Sequence, residues 1–90
     1  MLNPVRTTQF KRDSKLAEKR GKKMSKLKDI MVKLINEETL DEKYRDHKLS
    51  GDYVNHRECH VEPDWLLIYR LTGNDIHFVR TGTHSDLFDK

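Results

Sequence analysis

Ninety residues with 34% hydrophobic and 37% charged side chains make a single small domain with a modest core, which excludes a multidomain enzyme. No apolar run approaches the ~20 residues of a membrane span, the N-terminus has no signal-peptide core, and the single cysteine, Cys59, excludes an internal disulfide. These features predict a cytoplasmic protein, and its net charge of +3 is the small difference of two unlike halves. Between Lys11 and Lys33 there are ten Lys/Arg and three acids, whereas residues 34–90 hold seven Lys/Arg and twelve acids. A basic half of this kind suits a polyanion such as RNA, or an acidic protein segment, or is simply a solvated helix face.

Residues 4–8 include the β-branched Val5 and Thr7 and read as an edge strand. Thr7 or Thr8 then caps a helix over residues 9–20, whose apolar stripe is thin (Phe10, Leu16, Ala17) and whose stop is Gly21. Met24, Leu27, Ile30, Met31, Leu34 and Ile35 follow i, i+3, i+4, i+7 spacing, so a second helix packs this stripe into the core. The two helices form an antiparallel hairpin. After a polar connector over residues 37–44 the period changes. Residues 53–60 alternate, 65–71 are almost continuously apolar, and 76–81 alternate again, as strands do. Pro63 holds one turn, and Thr72, Gly73, Asn74 and Asp75 form a hairpin turn. The order predicts one α+β domain over residues 1–90, with an N-terminal strand and a helical hairpin packed on one face of a mainly antiparallel four-stranded sheet.

All five histidines fall in the second half: His47, His56, His60, His77 and His84. Strand alternation puts His56, Glu58 and His60 on one face, with Arg57 and Cys59 on the other. The helices cover only one face, so the histidine face is expected to be open. His47 and His84 lie near its edges, and Arg80 stands close to His84 in sequence. Imidazoles, a carboxylate and an arginine are the groups needed to cut RNA. One takes the 2′-OH proton, one protonates the 5′-oxygen, and a cation stabilises the charge on phosphorus. The nucleophile then belongs to the substrate, so no cofactor or metal is required. A lone histidine in a small domain more often serves structure, and the reading rests on the set. Trp65 is either core or the wall of a binding surface, and Phe88 either clamps the core or stacks on a base. The spacing of His56, Cys59 and His60 superficially suits zinc, but parity separates Cys59 from the histidines, and no metal site is predicted.

Four segments together resemble the YafQ branch of the RelE toxin superfamily: YRDHKL at 44–49, HRECH at 56–60, VEPDWLLIY at 61–69 and RTGTHSDLF at 80–88. The likeness extends over essentially the whole chain, including LAEKR at 16–20 and KLK at 26–28. It implies a RelE-like fold and a bacterial toxin of a type II toxin–antitoxin module, acting as a ribosome-dependent mRNA interferase. It further implies an acid–base cluster of His47, His60, Asp64 and His84, with His84 as general acid and His60 with Asp64 as base and orienter. Trp65 and Phe88 would support or stack on nucleotides. Glu58, where the family often has aspartate, and Arg80 would contact substrate, and Lys22, Lys23 and Lys26 would hold ribosomal RNA. The implied partners are the ribosome, mRNA and a cognate DinJ-like antitoxin in a hetero-oligomer. Two other readings stay open. One is a ParE-like topoisomerase poison, which lacks the histidine cluster. The other is a non-catalytic RNA- or ribosome-binding module, which would not need the histidines.

Overall fold

The computed structural model describes residues 1–88. Its elements run β1 (Asn3–Arg6), α1 (Thr8–Lys19), α2 (Met24–Ile35), β2 (His47–Lys48), β3 (Arg57–Glu62), β4 (Trp65–Thr72), β5 (Asp75–Gly82) and α3 (His84–Phe88). The sheet order is β1-β5-β4-β3-β2. β1 pairs parallel with β5, and the other neighbours are antiparallel. The expected four-stranded sheet is thus five-stranded, because His47 and Lys48 pair with Glu58 and Arg57. Two residues are too few for a periodic signal.

Both predicted helices form. Thr7 caps α1 by accepting from the Phe10 N–H, and its own hydroxyl donates to the Val79 carbonyl, tying the helix start to β5. The stripe of α2 buries Leu27, Ile30 and Leu34. These pack with Phe10, Ala17, Trp65, Leu67, Tyr69, Ile76 and Phe78 in a core between helices and sheet. β4 supplies buried side chains to both faces, because Leu66 and Ile68 lie on the other side with Leu87. The face opposite the helices is therefore not open along its length. Leu49, Tyr53, Val79 and Phe88 pack over its centre, and His47, His60 and His84 gather at one end.

Two further departures bear on the site. β3 begins at Arg57, so His56 lies outside the strand, with its ring edge-on to Tyr53 and Nδ1 against the Val54 carbonyl. The β4–β5 pairing also shifts register between Ile68 and Tyr69, where Val79 is left without a partner in the ladder. Arg80 beside this bulge is engaged by Asp13 of α1.

Candidate active site

Strand pairing builds the site from β3 outward. Glu58 and His60 are two residues apart and share a face. Register places His47 of β2 directly across from Glu58. It places Leu66 across from His60, and Gly82 across from Leu66 on β5. His84 follows Gly82 by two residues, at the start of α3. The result is a continuous row. The Asp64 carboxylate lies 2.6 Å from His84 Nδ1, and the His84 and His60 rings meet at 5.7 Å between centroids. His60 Nε2 lies 3.1 Å from Glu58 Oε1, and His47 Nε2 reaches the same oxygen at 3.7 Å.

The partners fix the tautomers of two rings. A carboxylate or a carbonyl only accepts, so the nitrogen facing it carries the proton. His84 donates from Nδ1 to Asp64, and His47 donates from Nδ1 to the Arg45 carbonyl at 2.6 Å. Their Nε2 atoms are then the ones available to exchange a proton. Asp64 also accepts from the His84 backbone N–H at 2.9 Å. That bond and the ring contact hold its carboxyl below the ordinary range, so it is ionised at neutral pH. Glu58 is only 5% exposed, and its carboxylate is flanked by the two imidazoles.

The turn carrying His47 is anchored from below. Tyr69 donates to Asp46 at 2.6 Å and Arg57 donates to it at 3.2 Å. Burial first, then the bond to Asp46, pushes the Tyr69 hydroxyl far above its usual range. At the other end, α3 has five residues and cannot stand alone as a helix. Asp86 accepts from the Thr83 backbone N–H while Thr83 Oγ1 accepts from the Asp86 N–H, a reciprocal cap one residue ahead of His84. Arg20 at the end of α1 grips both oxygens of Asp86, at 2.6 and 3.2 Å. A Cβ at Gly82 would stand 2.9 Å from Asp86 Oδ2, so glycine permits this approach. The Arg20 guanidinium, seconded by the Thr83 N–H, brings the Asp86 carboxyl down to about 2.

Of the residues singled out in the sequence, His47, Glu58, His60, Asp64 and His84 are brought together. The pairing of Asp64 differs from expectation, since it contacts His84, and His60 has Glu58 instead. Trp65, expected to support or stack on nucleotides, lies in the core. It is 1% exposed, and its indole N–H donates to Thr81 Oγ1, which in turn donates to the Leu66 carbonyl. Arg80, expected to contact substrate, has its guanidinium held by buried Asp13 at 2.8 and 3.2 Å. Phe88 packs edge-on against Tyr53, at 5.8 Å between centroids. Lys22 and Lys26 both bind Glu62 at 2.9 Å, and Lys22 also stands over the Trp65 ring, whereas Lys23 is exposed at the start of α2. Cys59 is fully buried on the helix side, and burial first of all pushes its thiol up to about 12. Among the described residues no three His, Cys, Asp or Glu side chains are arranged to hold a metal ion. Nor is any described helix long and apolar enough to cross a membrane.

Sequence reasoning missed Arg20, Asp86 and Asp46, which position the site. The run Thr83-x-x-Asp86 had the spacing of a capping box and was the one available signal. It also missed an open groove of about 710 Å³ beside the row, lined by His60, His84, Tyr44, Arg45, Lys33 and Lys43 among others.

Residues 2–89 match the family model described as "Bacterial toxin of type II toxin-antitoxin system, YafQ". The mRNA interferase toxin YafQ of Escherichia coli K12 is 52% identical over 81 residues, covering 89% of this chain and 88% of that one. The crystal structure of the E. coli DinJ-YafQ complex aligns with a TM-score of 0.91 at 47% identity, over 98% of this chain and 99% of that one. A metal-bound toxin from Helicobacter pylori aligns with a TM-score of 0.91 at 38% identity, over 98% of this chain and all of that one.

Proposed function

This chain belongs to the YafQ family of bacterial type II toxin–antitoxin toxins, and from that premise we propose that it is an mRNA interferase whose acid–base groups are His84 and His60. The observation that carries the reading is the unbroken row Asp64, His84, His60, Glu58, His47. Such a row supplies two imidazoles at the spacing needed on either side of one phosphate, each oriented by its own carboxylate.

In the reaction His60 takes the proton of the 2′-OH. The freed oxygen forms a bond to phosphorus, and the P–O5′ bond breaks as His84 Nε2–H gives its proton to the leaving 5′-oxygen. The products are a 2′,3′-cyclic phosphate and a 5′-hydroxyl. As the acid His84 carries a proton on both nitrogens, Nδ1–H donating to Asp64, which stabilises that doubly protonated ring, and Nε2–H facing the leaving oxygen, while Glu58 holds His60. His47 flanks the same carboxylate and offsets its charge when protonated. No step calls for a metal, because the nucleophile is internal to the RNA. The ribosome supplies what a small site cannot, an mRNA held with the 2′-oxygen in line with the leaving group. The cognate partner in the cell is a DinJ-like antitoxin, and the compartment is the cytoplasm.

The test is induction of the chain without antitoxin, with mapping of mRNA 5′ ends in translated and untranslated copies of one message. Cleavage confined to the translated copy and lost in His84→Ala is expected. A synthetic A-site message with a 5′-bridging sulfur, a leaving group that needs no acid, should restore cutting by His84→Ala but not by His60→Ala. Growth arrest with intact message would refute the reading.

A further inference from the structure

We propose that the groove between α2 and the turn over residues 42–45 is a nucleotide subsite, in which Tyr44 stacks on the base next to the cleaved bond and Lys33, Lys43 and Arg45 face its phosphates. The inference rests on the reading of the histidine row as an RNA-cleaving site, and it names where the neighbouring nucleotide goes.

Continuity comes first. His60 and His84 form one wall of the groove, so an RNA chain at the histidines must either enter this groove or leave across it. Its volume of about 710 Å³ lies in the range of small-molecule sites, roughly 300–1,000 Å³, and it is open along one side as a chain passing through requires. Charge comes next. Lys26 in this groove is engaged by Glu62, but no ion pair among the described residues takes Lys33, Lys43 or Arg45. Lys33 projects from exposed positions of α2, and Lys43 and Arg45 are exposed on the facing turn, so cations stand on both banks.

The turn itself is held in an unfavourable shape. Arg45 has φ of 50°, a left-handed conformation that is unfavourable for a residue with a side chain. In return its carbonyl meets His47 Nδ1, while Asp46 beside it is gripped by Tyr69 and Arg57. The same strained turn therefore sets a histidine of the row and presents Tyr44 to the groove. The Tyr44 ring is half-buried against the core. Lys43 Nζ stands 5.1 Å from its centroid. A base stacked on an aromatic ring is held more tightly than an exposed cation–π contact of this kind. A base therefore displaces the ammonium, and the ammonium becomes available to a phosphate.

The probe is a fully 2′-O-methylated trinucleotide carrying 2-aminopurine, which cannot be cleaved and loses fluorescence on stacking. Wild type should quench it, and Tyr44→Phe, which keeps the π-face, should do so with similar affinity. Tyr44→Leu keeps an apolar side chain against the core but has no π-face, and should weaken binding roughly 5- to 150-fold, the span of base–aromatic stacking. Lys33→Glu, on an exposed helix position, should weaken binding and flatten its salt dependence. It also keeps the test decisive if Tyr44→Leu folds poorly. No quench with wild type, or equal affinity for wild type, Tyr44→Leu and Lys33→Glu, overturns the subsite. The two readings fail separately. A subsite without mRNA cleavage would leave quenching intact, and cleavage without a subsite would leave Tyr44→Leu active and binding unchanged.

Discussion

On the helix side of the sheet, Phe10, Leu27, Ile30, Trp65, Leu67, Ile76 and Phe78 fill an apolar layer, in which the Trp65 indole N–H is paired with Thr81 Oγ1. On the other side Leu66, Ile68 and Leu87 make a much smaller cluster, and beyond it the row from Asp64 to His47 runs to the surface. The first face holds by apolar area, which is non-directional and tolerant of small shifts. The second holds by hydrogen bonds between groups placed to a few tenths of an ångström, and it depends on a five-residue helix tied down by Arg20. Stability and chemistry are thus carried on opposite faces of one central strand, β4. Changes to one should leave the other measurably intact.

The sharpest break in that comparison is His84→Ala. It removes the proposed proton donor from an exposed position and should lower cleavage of a translated message by about 10²–10⁴-fold. The urea midpoint should stay where it was, read by circular dichroism on the same preparation. A large stability loss would mean that the row is structural.

The converse variant is Leu67→Ala. Leu67 is fully buried on the helix side, and its truncation should cost about 2–5 kcal/mol in urea unfolding. The fraction that remains folded should cut RNA at the wild-type rate per molecule. A folded but inactive Leu67→Ala protein would show that the two faces are coupled.

This division was only half visible in the sequence. The α2 stripe at Met24, Leu27, Ile30, Met31, Leu34 and Ile35 announced the helix face, because apolar period survives in a linear string. The parity of Glu58 and His60 placed both on one face before any coordinates. Trp65 could not be resolved in the same way. β4 is apolar on both faces, so alternation gives no sign of which side has a lid. Asp13 and Arg80 lie 67 residues apart, and nothing local marks their pairing. The exchange of partners, Asp64 to His84 and Glu58 to His60, depends on the β3–β4 register shift after His60 and on α3. A helix of five residues leaves no periodic trace.

A smaller effect separates the helical anchor from the row it carries. With its pKa at about 2, below the ordinary 3.8, ionised Asp86 contributes stability that is whole above roughly pH 4 and is lost as pH falls towards 2. Asp86→Asn should therefore lie below wild type by a constant margin from roughly pH 5 to 7, and the two urea midpoints should converge between roughly pH 4 and 2. Cleavage should fall less than in His84→Ala, since Asp86 positions the ring rather than touching RNA. Parallel pH curves throughout would mean that the Arg20 contact adds nothing to folding.

The smallest expected effects distinguish lysines that look alike in the sequence. Lys22 and Lys26 share Glu62, whose carboxyl they hold below its usual range, so their charge is already answered within the protein. Lys23 between them is exposed and takes part in no ion pair among the described residues. Counterion release scales with the phosphates a protein neutralises, so Lys23→Ala should reduce the salt slope of ribosome binding by about 0.7–0.9. Replacing Lys22 and Lys26 together by alanine removes two charges but also leaves Glu62 unpaired beside the groove. Its slope should change by less than twice that of Lys23→Ala, with the loss of affinity persisting at high salt because a carboxylate now repels the RNA. Equal slopes per lysine at all three positions would mean that Glu62 gives up both partners on the ribosome, and that the ion pairs of the free protein do not describe the bound one.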